Sequence, residues 1–122
     1  MGKIESYKDL IAWQRGMELV EQVYRITSTF PSQEKFGLTS QVRRAAVSIP
    51  ANIAEGYGRR TRVDYVRFLD IARGSANEVE THLLLGLRLN FATGDDIAVA
   101  LELINEVQKV LRGLAESLRR MS

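Results

Sequence analysis

Six polar side chains recur at helical spacing along one segment of the chain, and this makes them the first candidates for a functional site. They are separated by 3, 4, 4, 3 and 4 residues and therefore form one stripe on a helix: Gln41, Arg44, Ser48, Asn52, Glu55 and Arg59. Serine and asparagine are unfavourable at exposed positions inside a helix, because their side chains compete for backbone hydrogen bonds. The stripe therefore indicates a polar contact between helices, a ligand site or, as a third interpretation, a plain solvated surface.

A matching anomaly lies in the next helical segment, where the sequence reads IARGSANEVE. Glycine inside a helix costs about 1 kcal/mol relative to alanine, so Gly74, Ser75 and Ala76 predict a place where another helix approaches closely. We predict a polar network between the two segments, structural rather than ligand-binding, in which Arg44 or Arg73 supplies compensating charge. Its predicted members are Arg44, Ser48, Asn52, Glu55, Arg73, Ser75 and Glu78.

Several kinds of catalytic site lack their required residues. The chain has one histidine, His82, and no cysteine, so neither a paired Glu-x-x-His dimetal site nor a thiolate metal site can be assembled. It contains no glycine-rich phosphate loop with its lysine and no Gly-x-Ser-x-Gly turn. We therefore predict a protein that is not an enzyme and that has no cofactor and no metal.

Positive charge is concentrated in the middle of the chain. The net charge is only +2, but the stretch from Arg43 to Arg73 holds seven arginines and three acidic residues. Arginine suits phosphate binding and protein interfaces equally, so the cluster has three interpretations: a nucleic-acid surface, solvated charges after a helix end, or ion pairs between subunits. Tyr57 or Tyr65 would be available for base stacking. The predicted nucleic-acid contacts are Arg43, Arg59, Arg60, Arg62 and Arg67.

Helices must position these residues, because apolar side chains recur at helical spacing almost throughout and strand patterns are nearly absent. Three interruptions, FPSQEKFG, GYGRR and ATGDD, divide the chain into helices predicted at about 7–29, 38–57, 61–90 and 95–120. Pro50 is expected to kink the second helix without ending it. The pattern predicts an all-α, antiparallel up-down four-helix bundle that forms a single domain over residues 1–122.

The apolar rows are wider than one bundle core needs. On the first helix the main row is Leu10, Trp13, Met17, Val20 and Tyr24. The spacing assigns Leu19 and Ile26 to a surplus face beside this row, and on the last helix a heptad row runs from Ile97 to Met121. Because surplus apolar faces often belong to subunit interfaces, we predict self-association.

No stretch approaches the roughly 20 apolar residues of a membrane-spanning helix. The first residues mix charged and apolar side chains, unlike a signal peptide. We therefore expect a cytoplasmic protein without membrane association.

The middle of the chain, SIPANIAEGYGRRTRVDYVRFLDIARGSANEVET with the upstream LTSQVRRAA, closely resembles the four-helix-bundle proteins encoded in intervening sequences of bacterial 23S rRNA genes. The segment YKDLIAWQRGMELVEQVY fits the opening helix of that family. The positions that match its motif are Gln41, Arg44, Ser48, Asn52, Glu55, Gly56, Phe68, Ala72, Gly74, Ser75 and Glu78. The resemblance implies a four-helix bundle that assembles into a homo-oligomeric ring, with a pentamer expected.

The resemblance also implies a partner. Relatives include an accessory protein that works beside the reverse transcriptase of diversity-generating retroelements, through a positively charged barrel that binds nucleic acid. Gene location associates the family with rRNA or the ribosome. We therefore predict a non-enzymatic homo-oligomer that binds RNA, rRNA in particular, or another nucleic acid through its arginines. The alternative is a ring that acts as a scaffold for an unidentified protein partner.

Overall fold

The computed structural model describes residues 3–121 and contains four long helices, with no strand among these residues. They are α1 (Ile11–Thr27), α2 (Leu38–Tyr57), α3 (Arg62–Arg88) and α4 (Gly94–Arg120). Helices that follow one another along the chain pack side by side, and α1 also packs on α4, which closes the bundle. The predicted all-α four-helix bundle is confirmed.

The first helix begins later than predicted, because a short 3₁₀ helix precedes it at Tyr7–Asp9. The Ser6 hydroxyl accepts a hydrogen bond from the Lys8 amide, and the Asp9 carboxylate accepts one from the Ser6 amide. This reciprocal capping starts a separate turn. Leu10 is then extended, with ψ of 128°, so the backbone changes direction before α1.

The second helix spans the predicted residues and runs through Pro50 without a break. Pro50 is buried. It lies against Gly16 of α1, where an added Cβ would be 3.5 Å from the proline Cδ. Because Gly16 has no side chain, α1 packs closely on the segment of α2 that contains the proline.

The predicted buried row of α1 is wrong. Met17 and Tyr24 are exposed, whereas Leu19 and Ile26, which the spacing assigns to the surplus face, are buried. The helix carries two neighbouring apolar stripes, and the one that includes Gly16 faces the core because small residues allow close helix packing. The exposed side chains of Met17 and Tyr24 therefore lie on the other stripe.

The heptad row of α4 is buried only over part of its length. Ile97 and Leu111 are in the core, but burial then passes to Ala115, while Leu118 is half-buried and Met121 is exposed. A straight helix drifts about 20° per heptad relative to a strict seven-residue repeat. The heptad row therefore turns away from the core towards the end of α4.

The tightest contact at a glycine between α2 and α3 lies at Gly56 and not at Gly74. A Cβ on Gly56 would lie 2.8 Å from the Cβ of Phe68 and 3.1 Å from Cδ1 of Tyr65. Gly74 is exposed, and no atom lies within 4 Å of its Cβ position. The prediction of close approach at Gly74 is therefore wrong, although the next residue, Ser75, is buried.

Candidate nucleic-acid interface

The short turn between α2 and α3 presents three of the predicted arginines to solvent. α3 starts where the Thr61 hydroxyl accepts a hydrogen bond of 3.1 Å from the Asp64 amide. This cap ends the turn only a few residues after α2. The exposed arginines of the turn and of the first position of α3 are Arg59, Arg60 and Arg62.

Two guanidinium groups share one aromatic ring beside this turn. The Cζ atoms of Arg59 and Arg67 lie 4.7 Å and 4.8 Å from the centroid of Phe68. Arg59 also pairs with Glu55 at 2.7 Å, and Arg67 with Asp64 at 3.8 Å. Their side chains remain 40% and 60% exposed, so cation–π contacts position both groups while solvent still reaches them.

The end of α4 brings further arginines to the same place. Arg62 Nη1 donates to the Met121 carbonyl oxygen at 2.6 Å, and Arg119 Nη2 donates to the Asp70 carboxylate at 3.0 Å. Because α4 is antiparallel to α3, its last turn, which includes Arg120, lies beside the first turns of α3. We call this surface the arginine end; it comprises Arg59, Arg60, Arg62, Arg67, Arg119 and Arg120.

The two tyrosines that were candidates for base stacking contact each other. Their ring centroids are 6.2 Å apart in an edge-to-face arrangement, with an interplanar angle of 86°. Burial, with a smaller contribution from Tyr57, raises the pKa of Tyr65. The phenol of Tyr65 is neutral near pH 7, as tyrosine ordinarily is. The two rings form an ordered aromatic edge to the arginine end.

The structure separates Arg43 from the other predicted nucleic-acid contacts. The helical rise places it about 21 Å before the end of α2. Its Nε donates to the Thr27 hydroxyl at 2.8 Å, and its Cζ lies 4.4 Å from the centroid of the Tyr24 ring. Arg43 therefore belongs to a different part of the surface, near the end of α1.

Part of the predicted polar network is a direct contact between α2 and α3. The hydroxyls of Ser48 and Ser75 are hydrogen-bonded to each other, and Ser75 is buried. Asn52 Nδ2 donates to the Ser48 carbonyl oxygen at 2.7 Å. Glu55 is turned towards Arg59 instead. The serine pair thus satisfies polar groups within a helix–helix contact, which is a structural role.

Of the remaining residues of the predicted network, Arg44 and Glu78 line one groove together with Ser48, and only Arg73 lies away from the serine pair. Arg44 and Glu78 are exposed along a shallow groove of about 340 Å³ between α2 and α3. Arg73 lines a different groove together with Gln108 and Arg112 of α4, and its carbonyl oxygen accepts a hydrogen bond of 3.0 Å from Gln108. Two residues of helix amount to about 200° of rotation, so Arg73 and Ser75 point to opposite sides of α3.

Residues 3–121 contain no group of three or more histidine, cysteine or acidic side chains that could hold a metal ion. None of the helices formed by these residues is both long and apolar enough to cross a membrane.

The chain is similar to known proteins over most of its length. Residues 8–113 match the family described as the 23S rRNA-intervening sequence protein. One similar solved structure is a protein with unknown function from the S23 ribosomal protein family from Bacteroides thetaiotaomicron VPI-5482. It shares 26% sequence identity and has a TM-score of 0.77, over 86% of this chain and 98% of that chain. No curated protein matches the chain. The matched residues include the turn between α2 and α3, with its arginines, and the serine pair. The chain belongs to the 23S rRNA-intervening sequence protein family.

Proposed function

We propose that this protein is a non-enzymatic homo-oligomer that binds RNA through the arginine end. Binding would rest on contacts between guanidinium groups and phosphates, with little readout of base sequence and a strong dependence on salt. The association of the family with 23S rRNA intervening sequences makes rRNA the first candidate ligand, and the protein would act in the cytoplasm.

The observation that carries this proposal is the convergence of six arginines from two separate parts of the chain on one end of the bundle. Arg60 and Arg62 are exposed and form no ion pair among residues 3–121. Arg59 and Arg67 are held beside Phe68. Guanidinium groups that are already ordered lose less conformational freedom when they bind a phosphate.

Self-association would multiply this surface. The exposed apolar side chains include Met17 at 43%, Leu84 at 42%, Leu85 at 43% and Val99 at 51% exposure, spread over α1, α3 and α4. Exposed apolar surface of this kind supports contact with further subunits, and the predicted ring would be a pentamer. Each subunit would then repeat the arginine end, so weak contacts would add into useful affinity.

The test is the binding of labelled RNA and DNA at several salt concentrations. The variant changes Arg59, Arg60 and Arg62 to alanine. A control with the same loss of charge changes three exposed arginines elsewhere on the bundle, Arg25, Arg88 and Arg112. For single strands, log K falls with log salt by about 0.7 per phosphate contact. The loss of three contacts should therefore make this slope less steep by about 2. Flat salt dependence of the wild type, or equal effects of variant and control, would refute the proposal.

A protein scaffold is the second candidate, favoured by Leu84, Leu85 and Leu89, whose side chains are 42%, 43% and 55% exposed at the other end of α3. In that case a captured protein partner would still bind after the arginine substitutions. It would be lost when Leu84 and Leu85 are changed to serine. The oligomer itself is tested by sedimentation at several concentrations, where a monomer at micromolar concentration would exclude the ring.

A further inference from the structure

A second basic cleft lies between the end of α1 and the start of α2, away from the arginine end. Its volume is about 470 Å³. Three cationic and two aromatic side chains contribute to its wall: Lys35, Arg43, Arg44, Tyr24 and Phe36. No carboxylate is among the residues that line it, so the cleft combines positive charge with aromatic surface.

One side of the cleft is held in place by contacts within the protein. The Arg43 guanidinium lies over the Tyr24 ring, and its Nε donates to the buried Thr27 hydroxyl. The Thr27 hydroxyl in turn donates to the Val23 carbonyl oxygen at 2.7 Å. This chain of contacts fixes a positive charge at the wall of the cleft. Arg44 is exposed beside it and forms no ion pair among residues 3–121.

The other side is formed by the most exposed large apolar side chain of residues 3–121. Phe36 is 89% exposed, although burying a phenylalanine is worth about 2 kcal/mol or more. The backbone beneath it is ordered, because the Glu34 carboxylate accepts a hydrogen bond of 3.0 Å from the Leu38 amide at the start of α2. The Lys35 ammonium lies 5.5 Å from the centroid of the Phe36 ring. The fold thus presents an open aromatic face with cations beside it.

We infer that this cleft binds an unpaired nucleotide of a single-stranded RNA. The base stacks on Phe36, and the phosphate lies near Lys35 and Arg44. The inference rests on the proposed RNA-binding function and adds to it a preference for single strands. The inference also assigns Arg43 to a nucleic-acid site, the cleft, although Arg43 is far from the arginine end.

The composition of the cleft favours a nucleotide over a protein segment. An acidic peptide would use the cations but would leave the Phe36 face uncovered, and an apolar segment would leave the cations without partners. A nucleotide uses both, because every base has a face that stacks on an aromatic ring and every phosphate is an anion. Double-stranded RNA does not fit, since its bases are already stacked on one another and its major groove is too narrow to be read.

The experiment compares two labelled probes, an oligouridylate of about 12 nucleotides and an RNA duplex of similar length. The variants are Phe36→Ala, Phe36→Trp and, as a control for loss of exposed apolar surface, Ile71→Ala, whose side chain is 42% exposed. We expect Phe36→Ala to weaken single-strand binding by about 10-fold or more and to leave duplex binding unchanged. Phe36→Trp should keep the affinity. Its added fluorescence should be quenched by the oligouridylate, measured against the wild type with its single tryptophan, Trp13.

The outcomes separate this inference from the proposed function. If Phe36→Ala binds the single strand like the wild type while the arginine-end variant is weakened, the inference is wrong and the arginine end stands. If only Phe36→Ala is weakened, the cleft stands and the arginine end is wrong. Failure of the wild type to bind either probe overturns both. A change of sedimentation in Phe36→Ala would identify the cleft as a contact between copies of the chain, which also overturns the inference.

Discussion

Substitution of Gly56 by alanine should destabilise the protein, although alanine is the better helix former. Gly56 is buried where α2 crosses α3. A methyl group there would lie 2.8 Å from the Cβ of Phe68, 3.1 Å from Cδ1 of Tyr65 and 3.2 Å from the Tyr65 carbonyl oxygen. A Cβ and a carbonyl oxygen are parts of α3 that cannot rotate away, so the two helices must separate to admit the methyl group.

The magnitude follows from two opposing terms. Overpacking of a tight contact costs about 1–3 kcal/mol, and the higher helix propensity of alanine returns up to about 1 kcal/mol. Because the blocking atoms are a Cβ and a backbone oxygen, the cost lies in the upper part of this range, about 2–3 kcal/mol, and we expect a net loss of about 1–2 kcal/mol in the free energy of unfolding. For a chain of this size the loss corresponds to a decrease in Tm of roughly 4–8 °C.

Gly74 provides the matched control on the partner helix. Its Cβ position has no atom within 4 Å, so Gly74→Ala gains the helix propensity without a clash. We expect this variant to be more stable than the wild type, by up to about 1 kcal/mol.

The assay is urea unfolding followed by circular dichroism, with all three proteins at one concentration because an oligomer's stability depends on it. A Gly56→Ala variant that unfolds at the wild-type urea concentration or above it would refute the close packing at Gly56. The geometry requires that Gly74→Ala raises the free energy of unfolding and that Gly56→Ala lowers it.

Three further predictions concern hydrogen bonds and ionisation. Ser48→Ala or Ser75→Ala should each cost about 1 kcal/mol, whereas the double variant should cost less than the sum; additive losses in urea unfolding would argue against the contact. Hydrogen bonds from Thr93 lower the pKa of Asp96, so its stabilisation is present above about pH 4 and lost as the pH falls. Asp96→Asn should flatten that acid dependence, and an unchanged Tm profile at acid pH would contradict the assignment. Burial raises the pKa of Tyr65, so its stabilisation is present below about pH 10 and lost above it; Tyr65→Phe should lessen the alkaline fall in Tm, and an equal fall would be evidence against it.

Local signals in the sequence were enough to predict the helices and several of their ends. α3 and α4 begin within one residue of their predicted starts, because Thr61 and Thr93 each cap a helix with an aspartate three residues later. The same type of signal at Ser6 and Asp9 starts a separate 3₁₀ turn where the sequence predicts α1 to begin, and it accounts for the late start of α1. Caps are readable because their hydrogen bonds join residues close in sequence.

The candidate site was only partly predictable. The arginines of the α2–α3 turn are adjacent in sequence and were found, whereas Arg119 and Arg120 reach them only through the antiparallel packing of α4. Arg43 is in the same basic stretch of sequence, yet the length of α2 carries it to another surface. Phe36 gave one weak signal, an aromatic residue in the turn EKFG. Only its exposure and its cationic neighbours identify it as a site residue.

By itself the sequence determined the four helices, the concentration of arginine and the family, because helix periodicity, capping and motif spacing are properties of neighbouring residues. Tertiary structure decided which of two apolar stripes of α1 is buried, which glycine lies in the tight contact with α3, and which cations meet at one end. These outcomes depend on how residues far apart in sequence pack together. The apolar pattern of a single helix does not show which neighbouring helix covers each of its faces, and only the assembled bundle settles that.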